Sequence, residues 1–395
     1  MPRADRLLYG GAVDRARMTR LVVLCVDDTD DVTRSTSTGA VSEAIADAVE
    51  GLGGCILLGI TRHQLLLAEG VPYTSHNSSM CFAARMPEGA ARALRAHAVE
   101  QIAALSAASA SPGLCVADMP AQWFTPGVGG PAAWENAPVA ERDRLAGLAA
   151  FGVRAQREVC DRQQARELAA GIPWLELSGH GGTGQGVIGA LAGVGLRMAG
   201  DDGRFRGKWD LADMLGVRDA ALPVGAVRRA LEAMACGAVR VCDATGGAVA
   251  DDVLLALDAE AKPVLSGGAV TLVCKMVDGV AVPARKADLD GLEGVSRGGR
   301  DAAARQETYV RDDDGCGLFQ PDNDFEEQRF AGGEVCANCL FRRKLADGFA
   351  CMNPARGRGG GGGGGSGVGA WEEAAASGVP VREPAPEPVH LRSCA

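Results

Sequence analysis

Four acids in five residues, Asp27-Asp28-Thr29-Asp30-Asp31, follow directly on an apolar run from Leu21 to Val26. A buried strand that ends in acids delivers them where ligands of open α/β sheets gather. Carboxylates held that close repel one another, and a hard, oxygen-preferring cation such as Mg²⁺ relieves the repulsion. The chemistry on offer is metal-assisted handling of a phosphate, with Asp27, Asp28 and Asp30 as metal ligands and Asp28 at the reacting centre. The plain alternative is a solvated turn whose aspartate caps the next helix. Asp28-Thr29-Asp30-Asp31-Val32 also fits a haloacid-dehalogenase-like phosphohydrolase motif. That chemistry needs a lysine ahead of a later acidic pair, and none precedes Asp201-Asp202, so it is a minor alternative.

A second candidate is Gly179-His180-Gly181-Gly182-Thr183-Gly184-Gln185-Gly186, between a short strand and a helix rich in small residues. Backbone N–H groups converging in such a loop bind anions without side-chain charge, which makes Gly181, Gly182, Thr183, Gly184 and Gly186 candidate ligands of a nucleotide phosphate. The alternative is a flexible turn that lets the helix pack closely. The chain has five lysines and none precedes Lys208, so no GxxxxGK loop can lie in its first half. Any phosphate bound there is held by backbone N–H groups, arginine or metal.

Polar side chains crowd Gly59 to Gln64 and Pro72 to Ser79, which read as loops beside apolar strands. Arg62 suits a phosphate, and His63 and His76 suit proton transfer; a hydrated surface loop is the alternative. Further on, Cys336-Ala-Asn-Cys339 and Cys351, with Cys316 ahead of them, have the composition of a zinc knuckle. A solitary redox or structural CxxC is the competing interpretation.

The elements that must position these groups follow from periodicity. Strands are expected over Leu21–Val26, Cys55–Ile60, Ser79–Met86 and Leu114–Met119, with helices over Thr38–Leu52 and Glu88–Leu105. That order is a ferredoxin-like βαββαβ unit, assigned to an N-terminal α/β domain over 19–120. A second α/β domain over 139–300 would open with a long helical region, Val139 to Ala170, broken near Gly152. It continues with a strand at Trp174–Ser178, the glycine-rich loop and a helix over Val187–Met198. Asp201-Asp202-Gly203 reads as a hairpin turn, Val224–Met234 as a helix, Val239–Asp243 as a strand, and Ala269–Val282 as a hairpin turning at Asp278-Gly279. A cysteine-bearing segment over 310–355 and a glycine-rich, then Pro/Glu/Ala-rich disordered tail over 357–395 complete an α/β (α+β) chain.

Composition narrows the class. Hydrophobic residues make up 47% and charged residues 23% of 395, enough for a proper core. The net charge of −10 argues against a broad basic face for nucleic acid. Thirteen cysteines, several inside apolar strands, fit a reducing, cytoplasmic setting. The longest uncharged stretch, Leu177 to Leu196, is too rich in glycine to span a membrane, and no membrane partner is expected.

With these residues in view the chain resembles the archaeal tRNA(Ile) agmatinylcytidine synthetases, ATP-dependent enzymes that modify an anticodon cytidine. The likeness rests on Val26-Asp27-Asp28-Thr29-Asp30 with the Ser/Thr segment Ser35 to Thr38, on Val71-Pro72-Tyr73-Thr74-Ser75, and on Gly186-Val187-Ile188-Gly189-Ala190-Leu191-Ala192. It extends over about residues 20 to 250. Where that family carries Lys-Thr-Arg after the Pro-aromatic pair, this chain has Thr74-Ser75-His76, and no oligonucleotide-binding barrel is evident. The resemblance implies a kinase-like domain whose acidic motif holds metal and ATP phosphates, beside a ferredoxin-like domain. The expectation is a Mg²⁺- and ATP-dependent transferase or ligase with a small-molecule or RNA acceptor, carrying Zn²⁺ in its cysteine segment. The opposing class is a non-catalytic nucleotide- or metal-sensing or RNA-associated zinc protein.

Overall fold

The computed structural model describes residues 19–31, 36–68, 71, 77–125, 134–234 and 237–284, and the backbone of two short strands at 342–345 and 348–351. In chain order its first part comprises β1 (Arg20–Asp27), α1 (Thr38–Ala46), α2 (Ala48–Gly51), β2 (Cys55–Gln64), β3 (Ser78–Met86), α3 (Ala90–Leu105) and β4 (Gly113–Pro120). After these come α4 (Val139–Ala155), α5 (Arg162–Ala170), β5 (Leu175–Gly179) and α6 (Gly186–Ala199). Next are β6 (Arg204–Phe205), β7 (Trp209–Asp210), α7 (Leu211–Leu215), β8 (Ala221–Pro223), α8 (Val224–Met234), β9 (Val239–Asp243) and β10 (Leu254–Ala256). The series ends with β11 (Glu260–Ala261), β12 (Val264–Ser266), β13 (Ala269–Val277) and β14 (Val280–Pro283), and with the separate pair β15 (Arg342–Leu345) and β16 (Gly348–Cys351).

The protein is a mixed α/β fold. One large sheet runs β5-β4-β1-β3-β2-β6-β12-β13-β14-β10-β8, with β9 paired to β13. The part that carries the candidate site is antiparallel from β5 to β6, and β1 lies in its middle. Alternation along β1 divides its side chains cleanly. Val22, Leu24 and Val26 pack with Val41, Ile45, Leu94 and Ile102 of α1 and α3 on one face. Leu21, Val23 and Cys25 pack with Leu145, Leu148, Leu191 and Val194 of α4 and α6 on the other. A strand buried on both faces reads as an unbroken apolar run, as Leu21 to Val26 does. A further core, around Trp209, Val227, Leu231, Leu255 and Leu272, serves the second half of the sheet.

Several expectations change at this level. The strand expected to stop at Ile60 runs on to Gln64, so Thr61 to Gln64 are sheet residues rather than a loop. A bulge intervenes, in which Leu58 (φ 64°) and Gly59 (φ 91°) take up the register shift between Leu57 and Thr61. The helical region expected over Val139 to Ala170 does break, between Ala155 and Arg162, a little beyond Gly152. α4 runs through Gly152 itself because that is where it meets α6, and a Cβ there would stand 2.8 Å from Ala192 O and 2.9 Å from Leu196 Cγ. Asp201-Asp202-Gly203 is not a hairpin turn; α6 ends in a left-handed cap at Gly200, and Asp202 turns into the interior. The hairpin at Asp278-Gly279 is present, with both residues at positive φ and Val277 facing Val280. Among the described residues no helix is long and apolar enough to cross a membrane.

Candidate nucleotide and metal site

Asp27 continues the β1 face that lies against α6 and is 9% exposed. Its carboxylate lies against the first turns of that helix: a Cβ at Gly189 would collide with Asp27 Oδ2, and one at Gly186 would stand 2.9 Å from the Asp27 carbonyl oxygen. Burial is the main cause that holds the Asp27 carboxyl well above the usual carboxylate range. The charge of Asp28 raises it further and that of Asp30 adds a smaller push, against a backbone hydrogen bond at Asp28 that lowers it. Asp28 has a left-handed backbone (φ 53°), a conformation in which Asp is several-fold enriched among non-glycine residues. Thr29 is fully buried; its hydroxyl bonds Thr38 Oγ1 in the first turn of α1 at 3.0 Å, and its carbonyl accepts from Ala107 N–H at 2.9 Å. Asp31 accepts a hydrogen bond from the Ser109 hydroxyl. Capping of α1 falls to Ser37, whose side chain accepts from Ala40 N–H at 3.2 Å, so the acids are not the cap of that helix.

Among the described residues no three His, Cys, Asp or Glu side chains converge as a ready metal cage. The donor chemistry nevertheless suits a hard cation. Asp27 is a buried carboxyl whose ionised form is opposed by two further acids, and a dication there would reverse that opposition.

The glycine-rich loop belongs to the same strand end. β5 pairs with β4 so that Gly179 faces Gly113, and Gly113 faces Asp27 across the next strand. Gly113 admits the start of α6, since any Cβ on it would overlap the Gly186 backbone. The loop turns through Gly181 (φ 145°), Gly182 (φ 51°) and Gly184 (φ 71°). Much of its N–H complement is spent internally. Thr183 N–H donates to Ser111 Oγ at 2.9 Å, Gly184 N–H to Gly181 O at 3.1 Å, and Gly186 N–H to Ser111 O at 3.0 Å. The expected five-residue anion cradle therefore loses three of its donors to the loop's own closure. His180 Nε2 bonds the Ser178 hydroxyl at 2.9 Å, and its pKa is lowered by burial and then by the charge of Arg95.

Arg62 stands in register with Met80, which in turn pairs with Val26, and so projects on the α1 face, opposite to Asp27. Its guanidinium donates to Ser78 Oγ (3.0 Å) and Gln64 Oε1 (2.9 Å). His63 is sealed from solvent on the α6 face, with Nδ1 2.9 Å from Asp202 Oδ2 and Nε2 2.8 Å from Thr61 Oγ1. Thr61 also accepts from Arg197 Nη1 at 2.9 Å; burial lowers the Arg197 pKa to about 10, and its guanidinium lies 5.7 Å from the centre of the Phe205 ring. The structure thus puts His63 into a buried polar network rather than on an exposed loop. His76, Cys316, Cys336 and Cys339 lie outside the described residues, as does the side chain of Cys351, whose backbone ends β16. Sequence reasoning missed Ser111 and Gly113, which dock the glycine loop, and the inward role of Asp202. Pro112-Gly113 ahead of an apolar strand was the available signal for the first two.

No protein-family model matches the chain, and no curated protein does. Among solved structures, the complex of TiaS, a tRNA(Ile) agmatidine synthetase, with its tRNA and ATP aligns with 45% of this chain and 36% of its own at 21% identity, with a TM-score of 0.34. The complex of TiaS with the same tRNA, AMPCPP and agmatine gives 20% identity over the same shares and a TM-score of 0.33. A tRNA fluorescent labeling enzyme gives 20% identity, 44% and 36% coverage and a TM-score of 0.34. The chain thus spans little more than a third of each of these structures, and the likeness is one of partial fold.

Proposed function

We propose that this protein is a Mg²⁺-dependent, ATP-using enzyme of the phosphotransfer or ligase type, acting on a small-molecule or RNA acceptor. The observation that carries the reading is the meeting of two motifs remote in sequence: Asp27 at the end of β1 lies directly beneath Gly186 and Gly189, where the glycine-rich loop becomes α6. An acidic strand end beside a glycine loop is a disposition suited to a metal–polyphosphate pair. Asp28 and Asp30, with Asp27 behind them, would hold Mg²⁺, which when bound neutralises charge on a transferred phosphoryl group. The chain's own contribution is placement. The left-handed turn at Asp28 swings the acids off the strand, Thr29 pins that turn to α1, and α6 closes over Asp27 and excludes water from it.

Melting curves of the wild type and of Asp28→Asn, each with and without Mg²⁺-ATP, test the reading. A ligand at a hundred times its dissociation constant adds about 2.7 kcal/mol, so the wild type should melt higher with Mg²⁺-ATP and the variant should gain less. A wild type that gains nothing overturns the proposal. ATP turnover in the wild type, lost in Asp28→Asn, separates an enzyme from a nucleotide sensor.

A further inference from the structure

α5 runs beside the glycine-rich loop. Its start is set by a capping box in which Asp161 accepts from Gln164 N–H at 2.8 Å and the Gln164 side chain returns to Asp161 N–H. Ala165 and Ala169 are its buried residues, on the flank next to the one that carries Arg162 and Arg166. From this fixed frame Arg162 donates to the carbonyl oxygen of Thr183. One turn on, Arg166 Nη2 stands 3.7 Å from the place where a Gly184 side chain would begin. Residues at i and i+4 share a helix face, so two guanidinium groups stand over the same loop.

Three further facts give that placement a meaning. Both arginines are exposed, and among the described residues no carboxylate is paired with either, whereas Arg95 of α3 is 2.6 Å from Glu176. The N–H groups of Thr183, Gly184 and Gly186 are already used inside the protein. No lysine precedes Lys208 to supply the cation that a phosphate loop ordinarily carries.

We propose that Arg162 and Arg166 form a two-arginine clamp for the phosphate groups of the nucleotide at the Gly181–Gly186 loop, an assignment that rests on the ATP-using reading above. The planar fork of a guanidinium matches two phosphate oxygens at once. Arg162 also holds the loop through Thr183, so loop and cations come as one unit.

Isothermal titration of the full chain with ATP, adenosine and inorganic tripolyphosphate, each with Mg²⁺, tests the clamp on wild type, Arg166→Ala, Arg166→Lys and the Arg162→Ala/Arg166→Ala pair. Both side chains are exposed, so melting temperatures should stay put and report intact folding. Affinity for ATP and tripolyphosphate should fall about tenfold for each arginine removed, adenosine should bind unchanged, and Arg166→Lys should recover part of the loss. If the wild type binds ATP and the double variant binds it equally, the clamp is overturned while the nucleotide reading stands. Arginine-dependent binding of tripolyphosphate without binding of ATP would uphold the clamp and sink the nucleotide reading. A wild type that binds neither overturns both.

Discussion

Gly189 stands directly over the carboxylate of Asp27, and no side chain fits between them. The missing Cβ is what allows α6 to lie on the end of β1. Gly189→Ala should therefore lower stability by about 1–3 kcal/mol through overpacking, and should weaken Mg²⁺-ATP stabilisation by displacing Asp27. Gly147→Ala is the control, since a Cβ there meets nothing within 4 Å. In the middle of α4 that change should stabilise by about 0.5–1 kcal/mol. Denaturant melts of the two variants decide it, and equal effects would mean that α6 does not approach β1 this closely.

Asp27 makes a pH prediction whose sign is fixed by its environment. Its folded pKa is raised, by burial first and then by Asp28, above an unfolded value near about 3.9. The neutral acid is thus tolerated, and stability is lost as pH rises above the unfolded value and through the folded one. Without metal, the melting temperature should fall over that interval in the wild type and fall less in Asp27→Asn. At pH 8 the variant should melt higher by at least about 2–4 °C, the equivalent of about 1 kcal/mol for a domain of this size. Parallel pH profiles for the two proteins would show that Asp27 is not buried in this way.

The pairing of His63 with Asp202 separates a structural histidine from a catalytic one. Replacing His63 by Ala takes one buried hydrogen bond from the Asp202 carboxylate and one from the Thr61 hydroxyl, which keeps its bonds to Cys81 O and Arg197, at a cost of about 1–3 kcal/mol. Asp202→Asn should cost less, because an amide still meets Nδ1. Thermal unfolding alongside ATP turnover reads the difference. Loss of turnover in His63→Ala with an unchanged melting temperature would restore His63 to the reaction.

Zinc bound by Cys316, Cys336, Cys339 and Cys351 is an expectation carried by thiolate chemistry alone. Protein prepared without chelator should contain about one zinc per chain by elemental analysis, and a Cys336→Ser/Cys339→Ser variant should contain none. A wild-type stoichiometry below a few tenths removes the site, and iron in its place redirects it.

Local signals in the sequence determined much of the scaffold. An unbroken apolar run marked β1 because a central strand is buried on both faces, and Asp278-Gly279 marked a hairpin because only residues tolerant of positive φ make that turn. Apolar spacing marked α3 and α8 because a half-buried helix must repeat every 3.6 residues. None of these signals says which elements become neighbours. The tertiary structure alone decided that β5 joins β4, and so brings Gly186 and Gly189 onto Asp27. It also decided that Thr61 to Gln64 extend a strand, on the inward face of which His63 is buried. Gly152 shows the limit from the other side: helix propensity places the break at the glycine, whereas it falls just beyond, after Ala155, and the glycine itself is required by close packing of α4 on α6. Periodicity reports what a segment does with its own faces, whereas the site arises from contacts between segments far apart in the chain, which packing and strand order alone select.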